Sequence, residues 1–336
     1  MQELLSFGSD NHSGVHPAIL EAVCAANRGH CLAYGADPWT AKARELFKST
    51  FGAAAEPYFV FTGTAANTLA IRALCRPYEA IVATHIAHIN EDECGAPEYN
   101  TGNKQLSFPA VAGKLLPEHL SQLSIQPQNP HRVLPRLVSL TQATELGTVY
   151  TLAELRTLCD LAHQRGLLVH MDGARIANAA VHLGCELREL TTDVGIDALS
   201  FGGTKNGLLC AEAVVFLREG LSPDFAFLRK QSMQLASKMR FLAAQFIPYL
   251  ELGLWRSNAH AANTTALYLT ERLKAIPGVR CPYPTEANEV FAHLPAALES
   301  KLRERAHAYP WDQGMTRFVC SFDLSTADVD RLLTEL

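Results

Sequence analysis

Lys205 lies in Ser200-Phe-Gly-Gly-Thr-Lys-Asn-Gly207, where an apolar strand delivers one amine into a glycine-rich turn. Upstream, a second apolar run, Leu167-Leu-Val-His-Met-Asp172, ends in a carboxylate followed by Gly173-Ala174-Arg175. A third run gives way to Thr62-Gly-Thr-Ala-Ala66 at the start of a helix. An amine that can form an imine, a carboxylate that can keep a pyridine nitrogen protonated, and helix-start amides facing an anion are the needs of a pyridoxal phosphate (PLP) site.

Each residue also has a plainer reading. Gly63 permits close backbone approach, and the Thr64 hydroxyl can assist an anion. A glycine and a threonine at such a place are nevertheless more often only a turn and a helix cap. The segment contains neither Gly-x-Gly-x-x-Gly nor a Walker lysine, which argues against a dinucleotide or a nucleoside triphosphate. Asp172 could simply cap a helix over 173–183. Arg175 suits a ring oxygen or a substrate carboxylate, although a helical arginine is usually a solvated charge. A lone lysine is normally a surface residue. To form an imine it must lose its proton, which an apolar setting beside other cations favours. The three features fall on strand ends in a fixed order, and unrelated turns, caps and surface charges would rarely do so.

The elements that must position them alternate. Strands are predicted at 57–62, 80–85, 136–141, 167–172, 198–202 and 213–217, with helices at 64–74 and 152–164 between them. This order predicts an α/β fold with a mainly parallel sheet. A long helical stretch over 225–250 is expected to bridge to a second unit, followed by a helix at 261–273, strands near 290–294 and 317–322 and a helix at 327–333. Residues 1–250 are thus read as a large domain and 251–336 as a smaller α+β domain.

Composition limits the function classes. With 336 residues, 48% hydrophobic and 19% charged, the chain reads as an ordinary globular protein, and its net charge of -5 offers no general attraction to nucleic acid or anionic membrane. The segment Met1–Asp10 lacks the basic and apolar parts of a signal peptide, and no apolar run is long enough to span a bilayer, so a cytoplasmic location is expected. The nine cysteines form no Cys-x-x-Cys pair and read as reduced thiols of a packed interior. Cys94 and Cys210, near the candidate segments, are read as small buried hydrophobes.

The ordered set resembles the threonine aldolase and β-eliminating lyase family of fold-type I PLP enzymes (aspartate aminotransferase-like), in particular the low-specificity L-threonine aldolases. The resemblance rests on Ser9-Asp-Asn11, Tyr34-Gly-Ala-Asp-Pro-Trp-Thr40, Phe61-Thr-Gly-Thr-Ala-Ala-Asn67, His88 with Glu93, His170-Met-Asp-Gly-Ala-Arg175, the Lys205 segment and Thr316-Arg-Phe-Val319. It implies that Lys205 forms the imine with PLP, that Asp172 binds the pyridine nitrogen and that Gly63 and Thr64 bind the phosphate. It further implies that His88 stacks on the ring, that Arg175 lies near the ring oxygen and substrate carboxylate, and that Arg317 pairs with that carboxylate, aided by Ser9. Tyr34 falls in a matching site loop, supplied by a neighbouring subunit in a homodimer or homotetramer with sites at the interface. Lys238 matches the family's phosphate-side basic segment only loosely.

The implied reaction is retro-aldol cleavage of a small β-hydroxy-α-amino acid, such as L-threonine or L-allo-threonine, to glycine and an aldehyde. A β-eliminating lyase, an aminotransferase or a non-enzymatic PLP-binding scaffold would share much of the same set. One departure stands out, because where many members carry a second histidine this chain has Glu145. His88, Glu145 or a held water is therefore left as the catalytic base. His85-x-x-His88 followed by Glu93 can also be read as metal ligands. No metal is expected, because a ring stacked on PLP accounts for His88, and His85 is then a packed or supporting residue.

Overall fold

The computed structural model describes residues 5–334. Met1–Leu4, where the segment examined for a targeting signal begins, lie outside the described residues. The main sheet contains β1 (Glu56–Val60), β2 (Glu79–Thr84), β3 (Lys104–Phe108), β4 (Leu134–Thr141), β5 (Leu168–Gly173), β6 (Ala198–Phe201) and β7 (Glu212–Phe216). Its order is β1-β7-β6-β5-β4-β2-β3. The central pairs β3/β2/β4/β5/β6 are parallel, while β7 runs antiparallel to both β6 and β1. The expected α/β class with a mainly parallel sheet is thus observed, and β7 is the exception within it.

Five of the strands, β1, β2, β5, β6 and β7, are buried along all or nearly all of their length, as expected where helices cover both faces. On one face, Phe47, Phe51, Phe59, Phe201 and Phe246 pack mostly edge to face, with ring centroids 5.1–5.7 Å apart for Phe47 with each of the other four. On the other, the helix Gly63–Leu74 buries Ala66, Leu69, Ala70 and Ile71 against β4, β5, β6 and β7. No helix of the described residues is long and apolar enough to cross a membrane.

A smaller antiparallel sheet, β8 (Glu289–Ala292), β9 (Tyr309–Trp311) and β10 (Met315–Val319), has the order β8-β10-β9. Its core takes in Phe7 from the start of the chain, whose carbonyl accepts from the Val319 amide at 2.7 Å. The stretch 225–250 is not one helix. It is split into Phe225–Gln231 and Arg240–Glu251, because Ser232 and Gln234 between them bond to Arg72 and to the Phe61 amide and draw the chain to the helix Gly63–Leu74. The bridge between the two cores is instead the helix Leu254–Lys274, which contributes Trp255 and Ala259 to the large core and Ala266, Leu269 and Leu273 to the small one.

Among the helices that escape the periodicity reading are Pro17–Ala26 and Pro38–Phe51. Their signals were present all the same, a capping His16 or Asp37 followed by proline at the first helical position. The cysteine expectation also needs correction. All nine thiols are free, but Cys24, Cys31 and Cys94 are exposed and Cys210 is only partly buried. Cys94 sits in a left-handed turn (φ 51°) that turns the chain before the helix Ala96–Thr101 and lifts it away from the core.

Candidate active site

The carboxyl ends of the parallel strands, together with the neighbouring end of β7, border a cavity of about 320 Å³. Gly63, Thr64, Asn67, His88, Glu93, Glu145, Asp172, Arg175, Lys205 and Glu212 all contribute to it. Such a crevice at strand ends is where open α/β sheets bind ligands, since loops of several strands converge there. Seven of the expected residues therefore meet around one space.

Asp172 and Lys205 are brought together by the close approach of β5 and β6. A Cβ on Gly202 would lie 2.5 Å from the Ala174 carbonyl oxygen, so only glycine lets these strand ends touch. Asp172 is not a helix cap, because the following helix starts only at Ile176. Its Oδ1 accepts from the Ala174 amide at 3.0 Å and its Oδ2 from Asn67 Nδ2 at 2.8 Å. Burial pushes this carboxyl up, but the charge of His88, the Asn67 and Ala174 bonds and the nearby Lys205 together hold it below the usual carboxylate range. Behind it, burial pushes His170 down to about 4, so this ring is neutral between the hydroxyls of Ser139 and Ser200, at 3.0 and 2.9 Å.

Lys205 has no hydrogen-bond or ion-pair partner among the described residues. Burial and the Arg175 guanidinium pull its amine below the ordinary lysine range, against the opposing charges of Asp10, Asp172 and Glu289. That is the direction a nucleophilic amine requires. Beneath it, Glu212 accepts from the amides of Gly203 and Thr204 at 2.9 and 3.3 Å and fixes the turn that presents the lysine.

The helix Gly63–Leu74 is capped by Thr62, whose hydroxyl accepts from the Ala65 amide, and not by Thr64. Thr64 is therefore free of capping duty. A Cβ on Gly63 would meet nothing within 4 Å, so the packing of the protein gives no reason for a glycine there.

Glu145 sits in a loop after β4 fixed by Gln142, whose side chain bonds the Tyr150 backbone in both directions at 2.9 and 3.0 Å. Glu145 Oε1 accepts from the Thr141 hydroxyl at 2.7 Å and from the His88 amide at 2.9 Å, whereas Oε2 is buried without a partner. Burial pushes its carboxyl up to about 7 despite those bonds. The His88 ring is held by Glu93, Nδ1 to Oε1 at 2.9 Å, and that bond raises its pKa against the opposing effect of burial.

His85 takes no part. It is exposed and accepts from the Ala110 amide at 3.1 Å. The groups that do converge as a possible cation set are His88, Glu93 and Asp172, with donor atoms within 4.8 Å of one another. Asn67 Nδ2, bonding both Glu93 (2.8 Å) and Asp172, already ties two of them together. Asn67 had been assigned no role from sequence. The available signal was a polar residue on the buried face of an otherwise apolar helix.

Arg175 belongs to this lining, whereas Arg317, Ser9, Tyr34 and Lys238 lie outside it. Arg175 Nε and Nη2 form a two-point pair with buried Asp10, at 2.7 and 3.0 Å, so it is not a solvated charge. Arg317, on β10, is bonded to buried Glu289 and stacked over Trp311, with its Cζ 5.1 Å from the ring centroid. Ser9 accepts from the Asn11 amide at 3.1 Å. Tyr34 is exposed in a left-handed turn (φ 58°), its amide bonded to the Ser237 carbonyl. Lys238 is exposed and borders a separate cavity with Gly29–Ala33.

Comparison with known proteins identifies the family and agrees with this fold. The family model for the beta-eliminating lyases matches residues 6–297. The chain is 44% identical to a low specificity L-threonine aldolase of Pseudomonas aeruginosa, over 97% of this chain and 94% of that protein. It is 43% identical to the protein of the same name from a Pseudomonas species, over 98% and 96% of the two chains. The solved structure of Leishmania major threonine aldolase superposes with a TM-score of 0.90 at 29% identity, covering 98% of this chain and 97% of that one. The fold expected from the resemblance is the fold of these relatives.

Proposed function

The chain belongs to the beta-eliminating lyase family, and from that premise we propose that it is a PLP-dependent aldolase converting L-threonine, L-allo-threonine and related β-hydroxy-α-amino acids to glycine and an aldehyde. One observation carries the reading. A single cavity is lined at once by an amine with a lowered pKa, a buried carboxylate held ionised, and a second carboxylate near neutrality beside a histidine.

The residues fit the cofactor. Gly63 leaves open space beside the first-turn amides of a helix whose N-terminus favours an anion, which suits a phosphate held there with Thr64. Lys205 is the unpartnered amine for covalent attachment. Asp172 would keep a proton on the ring nitrogen, His88 would cover a ring face, and Arg175 would serve the ring oxygen. When bound, PLP supplies the electron sink for the pair released as the Cα–Cβ bond breaks.

The chain's own groups do the rest. Arg317 and Arg175 bind the substrate carboxylate, with Ser9 nearby. Glu145 Oε2, buried and unpartnered, takes the β-hydroxyl proton, and its pKa of about 7 lets it both accept and return a proton near neutral pH. His88, fixed by Glu93 and by the bond from its amide to Glu145, would keep that carboxylate in register with the ring.

A homodimer or homotetramer is part of the same proposal. Tyr34 is tied to Ser237 next to Lys238, so these two exposed side chains form one surface that can be set against the cavity of a second copy.

The test is direct. PLP-loaded protein is given L-threonine, L-allo-threonine and L-phenylserine, with D-isomers as controls, and aldehyde and glycine are measured. Absence of aldehyde from all of them refutes the proposal, and pyruvate with ammonia in its place assigns β-elimination.

A further inference from the structure

Arg317 would be a poor receptor for a carboxylate if its guanidinium were free to swing, because a two-point bond needs both N–H groups aimed together. It is not free. Glu289 Oε1 accepts from both Nε (3.1 Å) and Nη2 (2.5 Å) of Arg317. Trp311 covers one flat face of the same group, 5.1 Å from Cζ. With the Nε side edge taken and a face covered, the unbonded part is the Nη1 end of the fork. Arg175 is clamped in the same manner, its Nε edge taken by Asp10, and its Nη1 lies 3.6 Å from the same Glu289 Oε1.

Glu289 is 1% exposed and heads β8, with Asn288 before it donating to Asp10 Oδ2 at 3.1 Å. It is also packed against the loop that carries Glu145, since a Cβ on Gly147 would lie 3.1 Å from the Glu289 Cβ. One carboxylate oxygen thus locks an arginine of the small sheet and touches the arginine that follows β5, while the Cβ and backbone of the same residue abut the loop of the candidate base. A buried carboxylate that neutralises one of two adjacent guanidinium charges opposes anion binding, so its presence needs a reason. Edge-on fixing of the forks supplies one.

We propose that Glu289 is a positioning residue for the substrate carboxylate. It fixes the Nε edge of Arg317 so that the Nη end is held ready for the carboxylate of an α-amino acid. The inference rests on the aldolase reading for the identity of the ligand, and its test separates the two. The role is one of geometry more than charge, so reach should matter and formal charge should not.

The experiment uses PLP-loaded wild type, Glu289→Gln and Glu289→Asp. Glycine and 2-aminoethanol, which share the amine but not the carboxylate, are titrated against each by calorimetry. Glutamine keeps an acceptor oxygen at the same reach, and glycine affinity should stay within about threefold of wild type. Aspartate keeps the charge but withdraws the oxygen by one methylene, and glycine should weaken by about tenfold, the scale of one charge-assisted bond. In steady-state assays KM for L-threonine should rise in Glu289→Asp by more than kcat falls. Binding of 2-aminoethanol should be the same in all three.

A glutamine variant that loses as much glycine affinity as the aspartate variant, or an aspartate variant that loses none, overturns the proposal. So does an equal loss of 2-aminoethanol binding, which would mean general disruption. Failure of wild type to cleave threonine sinks the aldolase reading but leaves the glycine comparison interpretable.

Discussion

The backbone amide of His88 donates to Glu145 Oε1 at 2.9 Å, so the residue proposed to stack on the ring and the buried carboxylate are joined through a main-chain amide. A shift of one displaces the other. This bond explains how a carboxylate at a loop position can be held to one oxygen while the second stays free for chemistry.

The pH dependence follows from that carboxylate. With a pKa near 7, Glu145 is mostly ionised only above neutrality, so kcat should rise through pH 7 and level off. Glu145→Gln should lower kcat by about 10²–10⁴-fold and remove this limb. If the limb survives in the variant, the base is another group.

Stability should carry the opposite sign. The folded pKa of Glu145 is raised above its ordinary value of 4.5. Its contribution is therefore fully present below about pH 4.5 and lost as the pH climbs toward 7. Relative to Glu145→Gln, the apoprotein should lose about 3 kcal/mol across that window by linkage. Urea unfolding at pH 5 and pH 7.5 measures it.

Lys205 makes the only covalent link in the proposal. Lys205→Ala should show no absorbance of lysine-bound PLP and no turnover, while far-ultraviolet circular dichroism stays as in wild type. A variant that cleaves threonine normally would remove Lys205 from the site.

Asp172→Asn should keep the lysine-bound cofactor but lose about 10²–10³-fold in kcat, because the neutral amide no longer stabilises a proton on the ring nitrogen. Retained kcat would show that ring protonation is supplied elsewhere.

Two glycines of the site should respond in contrasting ways. Gly202→Ala forces a methyl to within 2.5 Å of the Ala174 backbone and should cost about 1–3 kcal/mol of stability. Gly63→Ala meets no protein atom within 4 Å, so its stability should change by less than about 0.5 kcal/mol while PLP affinity falls. Equal PLP affinity in Gly63→Ala and wild type would remove the phosphate from that turn.

The legible part of this protein was local. Strand ends can be read because apolar runs stop where the chain turns, and Asp172, Gly63 and Lys205 all lie at or just beyond such stops. Their meeting at one cavity follows from parallel strands that share a carboxyl edge. The break in 225–250 was not legible, because it is imposed by Arg72 and by Phe61, far away in sequence.

Sequence alone therefore determined the alternating α/β order, the candidate amine and carboxylate at strand ends, and the family they resemble. Only the tertiary structure decided which partners tune them. Asn67 reaches Asp172 across 105 positions and Asn288 reaches Asp10 across 278, contacts with no local pattern. The resemblance singled out Glu145 in the sequence, but its protonation could not be read there. Burial in this loop, with one oxygen bonded and one not, raises its pKa to about 7, and desolvation depends on the surrounding fold.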